Sequence, residues 1–157
     1  MPWRLPSQVR QQIEGFDVVP PYDGFPLVAS LCEELSSAVR DRGHGIRGLA
    51  TWRANEAGVT RYRPGSIGIT PHLDGRWYRR VVAVVTVWGT APFSVHAERF
   101  GPPIASWTAR PGDLVLLRGP GLAGARDGRP FHAVGTPRRG GRCSLGIRMS
   151  GRPVSMP

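Results

Sequence analysis

The sequence predicts a mainly β domain, a sandwich or barrel, with one helix packed on a sheet face. Three observations support this fold class. Eight short apolar segments recur at near-regular spacing, as strands of such folds do. The 21 glycines and 16 prolines stand between them without a fixed period, as turn residues do. Only residues 26–42 repeat apolar residues at three- and four-residue steps, which is helical spacing.

The elements follow one another in a simple order. Residues 1–25 contain four prolines and predict an irregular N-terminal arm with room for one short strand or helical turn. A helix over 26–42 begins at a proline and stops before Gly43. The strands are predicted near 57–63, 66–71, 80–89, 92–98, 104–109, 113–118, 130–135 and 142–149. Residues 26–150 are expected to form a single domain, and 151–157 a tail.

The charge of the chain is strongly positive but leaves its partner open. The formal net charge is +10, and every basic residue is an arginine. Such a field favours nucleic acid or another anionic partner. An arginine-rich composition set by codon usage explains the absence of lysine equally well. Charge therefore does not decide between these two interpretations.

Three features of the sequence predict the compartment of the protein and whether it associates with a membrane. The longest apolar run, 81–88, is far shorter than the about 20 residues that span a bilayer. The N-terminal residues show no apolar signal region. Cys32 and Cys143 are isolated and lack metal-type spacing. We expect a cytoplasmic protein without membrane association and without a disulfide framework.

Two histidines and an aspartate stand where a metal site is expected. His72 ends a predicted strand, Asp74 follows it in the next loop, and His132 lies in the seventh predicted strand. Two imidazoles and one carboxylate on one face of a metal leave three sites open, which suits Fe(II) that must bind a cosubstrate and O₂. Zinc hydrolases usually keep only one open position, so zinc fits less well. The alternative is a strand-end histidine followed by a turn-capping aspartate.

Two arginines on the last strand point to an anionic ligand. Arg142, Ser144, Gly146 and Arg148 alternate along one face of the strand, and that face would look into the barrel. A buried guanidinium needs an anionic partner. A dicarboxylate ligand could bind both arginines bidentately. The alternative is an edge strand whose arginines point to solvent.

Together these runs resemble the Fe(II)/2-oxoglutarate-dependent oxygenases, in particular the AlkB-like branch. The resemblance covers about residues 57–149 and rests on Tyr62-Arg-Pro-Gly, His72-Leu-Asp74, Gly112-Asp113-Leu-Val-Leu-Leu, His132 and Arg142-x₅-Arg148, in that order. It implies a double-stranded β-helix (jelly roll) with the metal pair after the second strand, the distal histidine on the seventh and the arginines on the eighth. The predicted strands have the same ranks.

The resemblance implies an oxidoreductase with a defined ligand set. His72, Asp74 and His132 would bind Fe(II). With O₂, the cosubstrate 2-oxoglutarate would be converted to succinate and CO₂ while a substrate C–H bond is hydroxylated. On an N-methyl carbon this is a net demethylation. The protein would supply positioning and exclusion of water, and the cofactor the oxidation chemistry.

The same resemblance assigns the cosubstrate contacts. Arg142 would hold the distal (C5) carboxylate of 2-oxoglutarate, assisted by the Tyr62 hydroxyl. Arg148 would lie near the metal-bound end of the cosubstrate and could steady Asp74. Ser144 can donate a hydrogen bond. The family often has Asn where Thr60 stands and a polar residue where Gly146 stands, so weaker cosubstrate binding is expected.

The substrate is left open between two classes of enzyme and one non-enzymatic alternative. Arg76, Trp77 and Tyr78 follow the metal pair and could contact a flipped base and its phosphates, or pack at the barrel rim. One hypothesis is an enzyme acting on alkylated nucleic acid. Another is a small-molecule hydroxylase or desaturase with the same iron core. The third is a metal-binding barrel that no longer turns over.

Overall fold

The computed structural model describes residues 9–152. The start of the predicted arm, 1–8, and the end of the predicted tail, 153–157, lie outside the described residues. The elements in chain order are β1 (Glu14–Val18), α1 (Pro26–Arg42), β2 (Glu56–Tyr62), β3 (Ile69–His72), β4 (Tyr78–His96), β5 (Pro103–Ala109), β6 (Leu114–Arg118), β7 (Phe131–Val134) and β8 (Arg138–Ser150). The mainly β class with one α-helix is confirmed within this range.

The strands form two antiparallel sheets that share β4. One sheet has the order β1-β2-β8-β4-β6, and the other has the order β3-β7-β4-β5. The first half of β4 lies between β6 and β8, and its second half lies between β5 and β7. The long strand therefore carries the chain from one sheet into the other.

The prediction of two strands at 80–89 and 92–98 was wrong, because the structure forms one strand of 19 residues there. Gly89 has a φ of +76°, which bends the strand without reversing it. The ladder to β8 still reaches Thr90, which pairs with Arg138, and pairing to β5 starts at the next residue. Glycine and proline in this segment therefore mark a bend between sheets rather than a hairpin turn.

Replacing Gly89 by alanine is expected to lower the free energy of unfolding by about 3 kcal/mol. An added Cβ would overlap the carbonyl oxygen of Gly141 on β8, and the backbone conformation is unfavourable for alanine. Gly112→Ala is the matched control, since Gly112 has a φ of +87° but open space around its Cβ position. It should cost only about 1 kcal/mol. Equal losses in urea unfolding would show that the contact with β8 is unimportant.

The N-terminal arm contributes the strand for which the sequence left room. β1 runs antiparallel to β2 and forms the edge of the larger sheet. Gln11 forms an isolated bridge with Ile69 at the start of β3. The arm thus reaches from one sheet to the other across the open side of the barrel.

The helix covers the outer face of the larger sheet. Its buried side chains are Val28, Cys32, Leu35, Ser36 and Val39, at helical spacing. They pack with Ala83, Ile147 and the fully buried Trp52. The Trp52 indole N–H donates to the carbonyl of Val81, at 3.2 Å. Among the described residues, no helix is long and apolar enough to cross a membrane.

A second apolar cluster fills the space between the sheets. It contains Tyr62, Val82 and Leu117 from the larger sheet and Phe93 and Val134 from the smaller one. Several of its members also line a cavity of about 300 Å³, whose wall is formed by residues of β1, β2, β3, β4, β7 and β8. The packing of the two sheets thus positions side chains of six strands around one space.

Candidate metal centre

The structure brings His72, Asp74 and His132 together at one end of the cavity. His72, the last residue of β3, lies opposite His132 of β7 in the sheet register. One ligand atom from each of the three residues lies within 4.8 Å of the others. Oδ1 of Asp74 is 3.8 Å from Nε2 of His72 and 3.5 Å from Nε2 of His132. Neighbouring ligands with metal bonds of about 2.1 Å lie about 3 Å apart, so a small closure would complete a metal site.

The orientation of both imidazoles leaves the same nitrogen available. Nδ1 of His72 lies 2.9 Å from the carbonyl oxygen of Thr70, and Nδ1 of His132 lies 3.2 Å from that of Pro130. A carbonyl can only accept, so each Nδ1 carries a proton and leaves Nε2 as the nitrogen available to a metal. The ring of His132 also stacks on Phe93, with 6.0 Å between centroids. These contacts hold both rings with Nε2 toward Asp74.

The protonation states of His72 and Asp74 are those that bind a metal. Burial lowers the pKa of His72, and the neighbouring His132 lowers it further. Burial alone would raise the pKa of Asp74, but the two imidazoles and the Arg148 guanidinium outweigh it, so this pKa is lowered. Near neutral pH, His72 is therefore a neutral imidazole and Asp74 is a carboxylate.

Arg129 holds the loop that carries Asp74, a role that the sequence analysis missed. Its side chain is nearly buried and pairs with Asp127, with 2.7 Å between Nη2 and Oδ2. Its Nη1 donates to the backbone carbonyl of Asp74. The segment before β7 is thereby tied to the loop after β3. In the sequence, only the position of Arg129 three residues before His132 hints at a role near the metal cluster. Such a spacing is too common to identify that role.

Arg129→Met is expected to weaken Fe(II) binding by about 10-fold, as losses of groups that orient metal ligands do. The ligand atoms all remain, but the carbonyl of Asp74 loses its donor. Arg76→Met is the matched control, because Arg76 is exposed and its Nε lies 3.9 Å from Asp127. Anaerobic iron titration measures the effect. Equal affinities of the two variants would exclude a positioning role for Arg129.

Arg142 lies fully buried beside the cavity with most of its donors free. Its exposed fraction is 1 %. Nη2 donates to the Thr86 hydroxyl at 2.9 Å, whereas Nε and Nη1 have no hydrogen-bond partner among residues 9–152. The guanidinium carbon lies 5.3 Å from the ring centroid of Tyr62. Burial lowers the pKa of Arg142, and burial also raises the pKa of the Tyr62 hydroxyl.

The remaining predicted cosubstrate residues line the same cavity. Residues 142, 144, 146 and 148 all contribute to its wall, as their alternation along β8 predicts. Ser144 is buried, and Tyr62 closes the wall from β2. A charged group with unsatisfied donors in a closed space is unfavourable unless an anion enters. The arrangement therefore favours an acidic ligand next to Arg142.

Arg148 is engaged by protein groups. Its Nη2 lies 2.9 Å from Asp17 and 3.1 Å from Glu56, and its Nη1 donates to the Tyr78 hydroxyl at 2.8 Å. Within the described part of the chain, its Nε lacks a hydrogen-bond partner. It lies close enough to Asp74 to lower the pKa of that carboxyl. A direct contact of Arg148 with a cosubstrate would require it to leave one of these partners.

The structure does not bring Arg76, Trp77 and Tyr78 to the cavity. Tyr78 donates its hydroxyl proton to Glu56 at 3.0 Å and stacks under Arg148. The ring of Trp77 lies under the guanidinium of Arg152, with 3.2 Å to the centroid. Arg76 is exposed beside Asp127. Trp77 and Tyr78 thus contact Arg152 and Arg148, and neither is among the residues that line the cavity.

The sequence analysis also missed the wall formed by β1. Gly15, Phe16 and Asp17 of β1, together with Ile13 just before it, line the cavity. Phe16 is half exposed, and Asp17 is held by Arg148. A proline-rich arm gives no periodic signal, so only the observed pairing with β2 shows which residues face inward.

Comparison with known proteins identifies the fold. No protein-family model and no curated protein matches the chain. The structure of OsALKBH1 matches with a TM-score of 0.63 and 14% identity, over 95% of this chain and 83% of that one. A cupin protein from Bacteroides fragilis gives 0.41 and 14%, over 69% and 74%. YcfD, a ribosomal oxygenase from Escherichia coli, gives 0.47 and 18%, over 78% and 29%. The chain thus has the predicted jelly-roll fold, with one helix on a sheet face.

Proposed function

We propose that the protein is an Fe(II)/2-oxoglutarate-dependent oxygenase of the AlkB-like type. The observation that carries the proposal is one cavity that holds both a His-Asp-His cluster and a buried arginine with two unpartnered nitrogens. The cluster matches the two-histidine, one-carboxylate triad that binds Fe(II). The guanidinium group of the arginine can form charge-assisted hydrogen bonds with the carboxylate of a keto acid.

The donor atoms of the chain fit these two groups. Nε2 of His72, Nε2 of His132 and a carboxylate oxygen of Asp74 would hold Fe(II) from one side. Arg142 would bind the distal carboxylate of 2-oxoglutarate through Nε and Nη1, since Nη2 is already held by Thr86. When bound, Fe(II) supplies the coupled oxidation of 2-oxoglutarate and of a substrate C–H bond by O₂.

The other residues of the cavity would position the metal ligands and enclose the cosubstrate. Phe93 and the two backbone carbonyls orient the imidazoles, and Arg129 fixes the loop of Asp74. Ser144 and Tyr62 supply hydroxyl groups beside the cosubstrate. Residues of β1 form part of the cavity wall and would help to limit the access of water to the bound groups.

Two substrate classes are each favoured by one observation. Alkylated nucleic acid is favoured by the net charge of +10. A small molecule is favoured by the cavity of about 300 Å³, which must also hold the cosubstrate. Oxidative demethylation is the expected outcome for the first class, and hydroxylation or desaturation for the second.

The test begins with anaerobic binding of Fe(II) and then of 2-oxoglutarate. Addition of O₂ should then yield succinate without added substrate at a slow, iron-dependent rate. A panel of methylated oligonucleotides and small molecules identifies the substrate as the compound that accelerates succinate release and is itself oxidised. A nucleic-acid substrate would bind with a steep salt dependence, and a neutral small molecule would not. Iron binding without any succinate would instead support the non-catalytic metal-binding barrel.

A further inference from the structure

A second pocket, outside the catalytic cavity, is lined by four arginines. Its volume is about 380 Å³. Arg47 comes from the loop after α1, Arg79 and Arg80 from the start of β4, and Arg126 from the segment between β6 and β7. The other lining residues are glycine, proline and alanine, and none is shared with the catalytic cavity. We call it the arginine pocket.

The charge of the arginine pocket is not neutralised by the described part of the chain. Within residues 9–152, none of its four arginines forms an ion pair with a carboxylate. Asp127 is the acidic residue nearest to Arg126 along the chain, but Arg129 binds it and lowers its pKa to about 2. Asp127 is therefore a carboxylate already committed to another cation, and the pocket keeps its positive potential.

Glycines leave room for the guanidinium groups. A Cβ on Gly48 would lie 2.6 Å from Nη1 of Arg80, and a Cβ on Gly124 would lie 3.2 Å from Nη1 of Arg47. Arg80 also donates to the carbonyl of Gly48, at 2.6 Å. The backbone thus fixes Arg80, while its other N–H donors have no acceptor among the described residues and can serve a ligand.

We propose that the arginine pocket binds a ligand through two neighbouring phosphate groups. Guanidinium forks match phosphate oxygens in geometry and charge. Four positive charges exceed what a single carboxylate would neutralise, and the volume exceeds the need of one phosphate. A free pyrophosphate group and adjacent phosphates of a nucleic-acid strand supply the same chemistry.

The test uses calorimetric titration of the full chain with sodium pyrophosphate and, separately, with a short oligothymidylate. The variant is Arg47→Gln with Arg126→Gln, because neither side chain donates a described hydrogen bond. The control is Arg110→Gln with Arg139→Gln, which removes two exposed charges elsewhere. We expect the first pair to weaken binding by about 10-fold or more, since each lost contact is charge-assisted. The control should change it by less than about 2-fold.

The two probes distinguish the source of the phosphates. If pyrophosphate binding weakens in the Arg47/Arg126 double variant but not in the Arg110/Arg139 control, the result supports a small phosphorylated ligand. A selective loss seen only with the oligonucleotide, together with a reduced salt dependence, supports a nucleic-acid strand. Either result supports the arginine pocket as a phosphate site. Absence of binding to both probes, or equal losses in the two double variants, overturns the proposal.

Discussion

His72→Ala and Asp74→Ala are each expected to abolish iron-dependent succinate formation. The loss should exceed about 100-fold, which is the upper range for residues that only hold a metal ligand in place. Each variant removes one of the three ligand atoms that lie within 4.8 Å of one another. Fe(II) affinity, measured anaerobically, should fall in parallel with turnover, because the same atoms serve both.

The controls for this result are residues of the same type outside the cluster. His44 and Asp23 are exposed, and their replacement by alanine should leave both iron affinity and turnover unchanged. Turnover like that of the wild type in either His72→Ala or Asp74→Ala would remove the metal centre from its proposed place. Loss of turnover with unchanged iron affinity would assign these residues another role.

Arg142→Met is expected to abolish tight 2-oxoglutarate binding while leaving the free protein at least as stable. The KM for 2-oxoglutarate should rise by about 30-fold or more, as for loss of a buried charged partner. Without cosubstrate, Nε and Nη1 of Arg142 are buried and have no hydrogen-bond partner in the described range 9–152. Replacing such a group by an apolar side chain is often neutral or stabilising by about 1–4 kcal/mol. The site thus holds an unfavourable charge that only its ligand satisfies.

Thermal unfolding with and without 2-oxoglutarate measures both effects. At a concentration 100 times its Kd, a ligand stabilises the native state by about 2.7 kcal/mol, so the wild type should gain this amount, whereas a variant with about 30-fold lower affinity should gain less than about 1 kcal/mol. Arg61→Met on the exposed side of β2 is the matched control and should retain the gain. An unchanged KM and an unchanged gain in Arg142→Met would mean that another residue holds the distal carboxylate.

Local patterns predicted the parts of the fold that depend on local physics. The helix runs over Pro26–Arg42 as predicted, because apolar spacing and the flanking proline and glycine are properties of the segment itself. The alternation of residues 142, 144, 146 and 148 predicted a common face, and all four line the cavity. The grouping of His72, Asp74 and His132 was predicted from motif order and strand rank together, since no single motif specifies it.

The remaining features depend on contacts between distant segments. Whether Gly89 bends a strand or ends it is decided by the ladder to β8, which spacing along the chain does not reveal. The partners of Arg148 come from β1, β2 and β4, so its engagement could not be predicted from β8. The position of Trp77 likewise depends on Arg152, far along the chain. Sequence patterns predict on which face of an element a residue lies, whereas contacts between distant segments determine which partners a polar side chain binds.

The long strand β4 has a consequence for how the protein opens. Because β4 pairs with β5, β6, β7 and β8, it is a strand of both sheets. Separating either sheet from β4 exposes backbone amides of the strand that the other sheet also needs. We therefore expect the two sheets to unfold together in a single cooperative transition. Amide protons in the middle of this strand should therefore exchange with deuterium last, at the rate set by global unfolding.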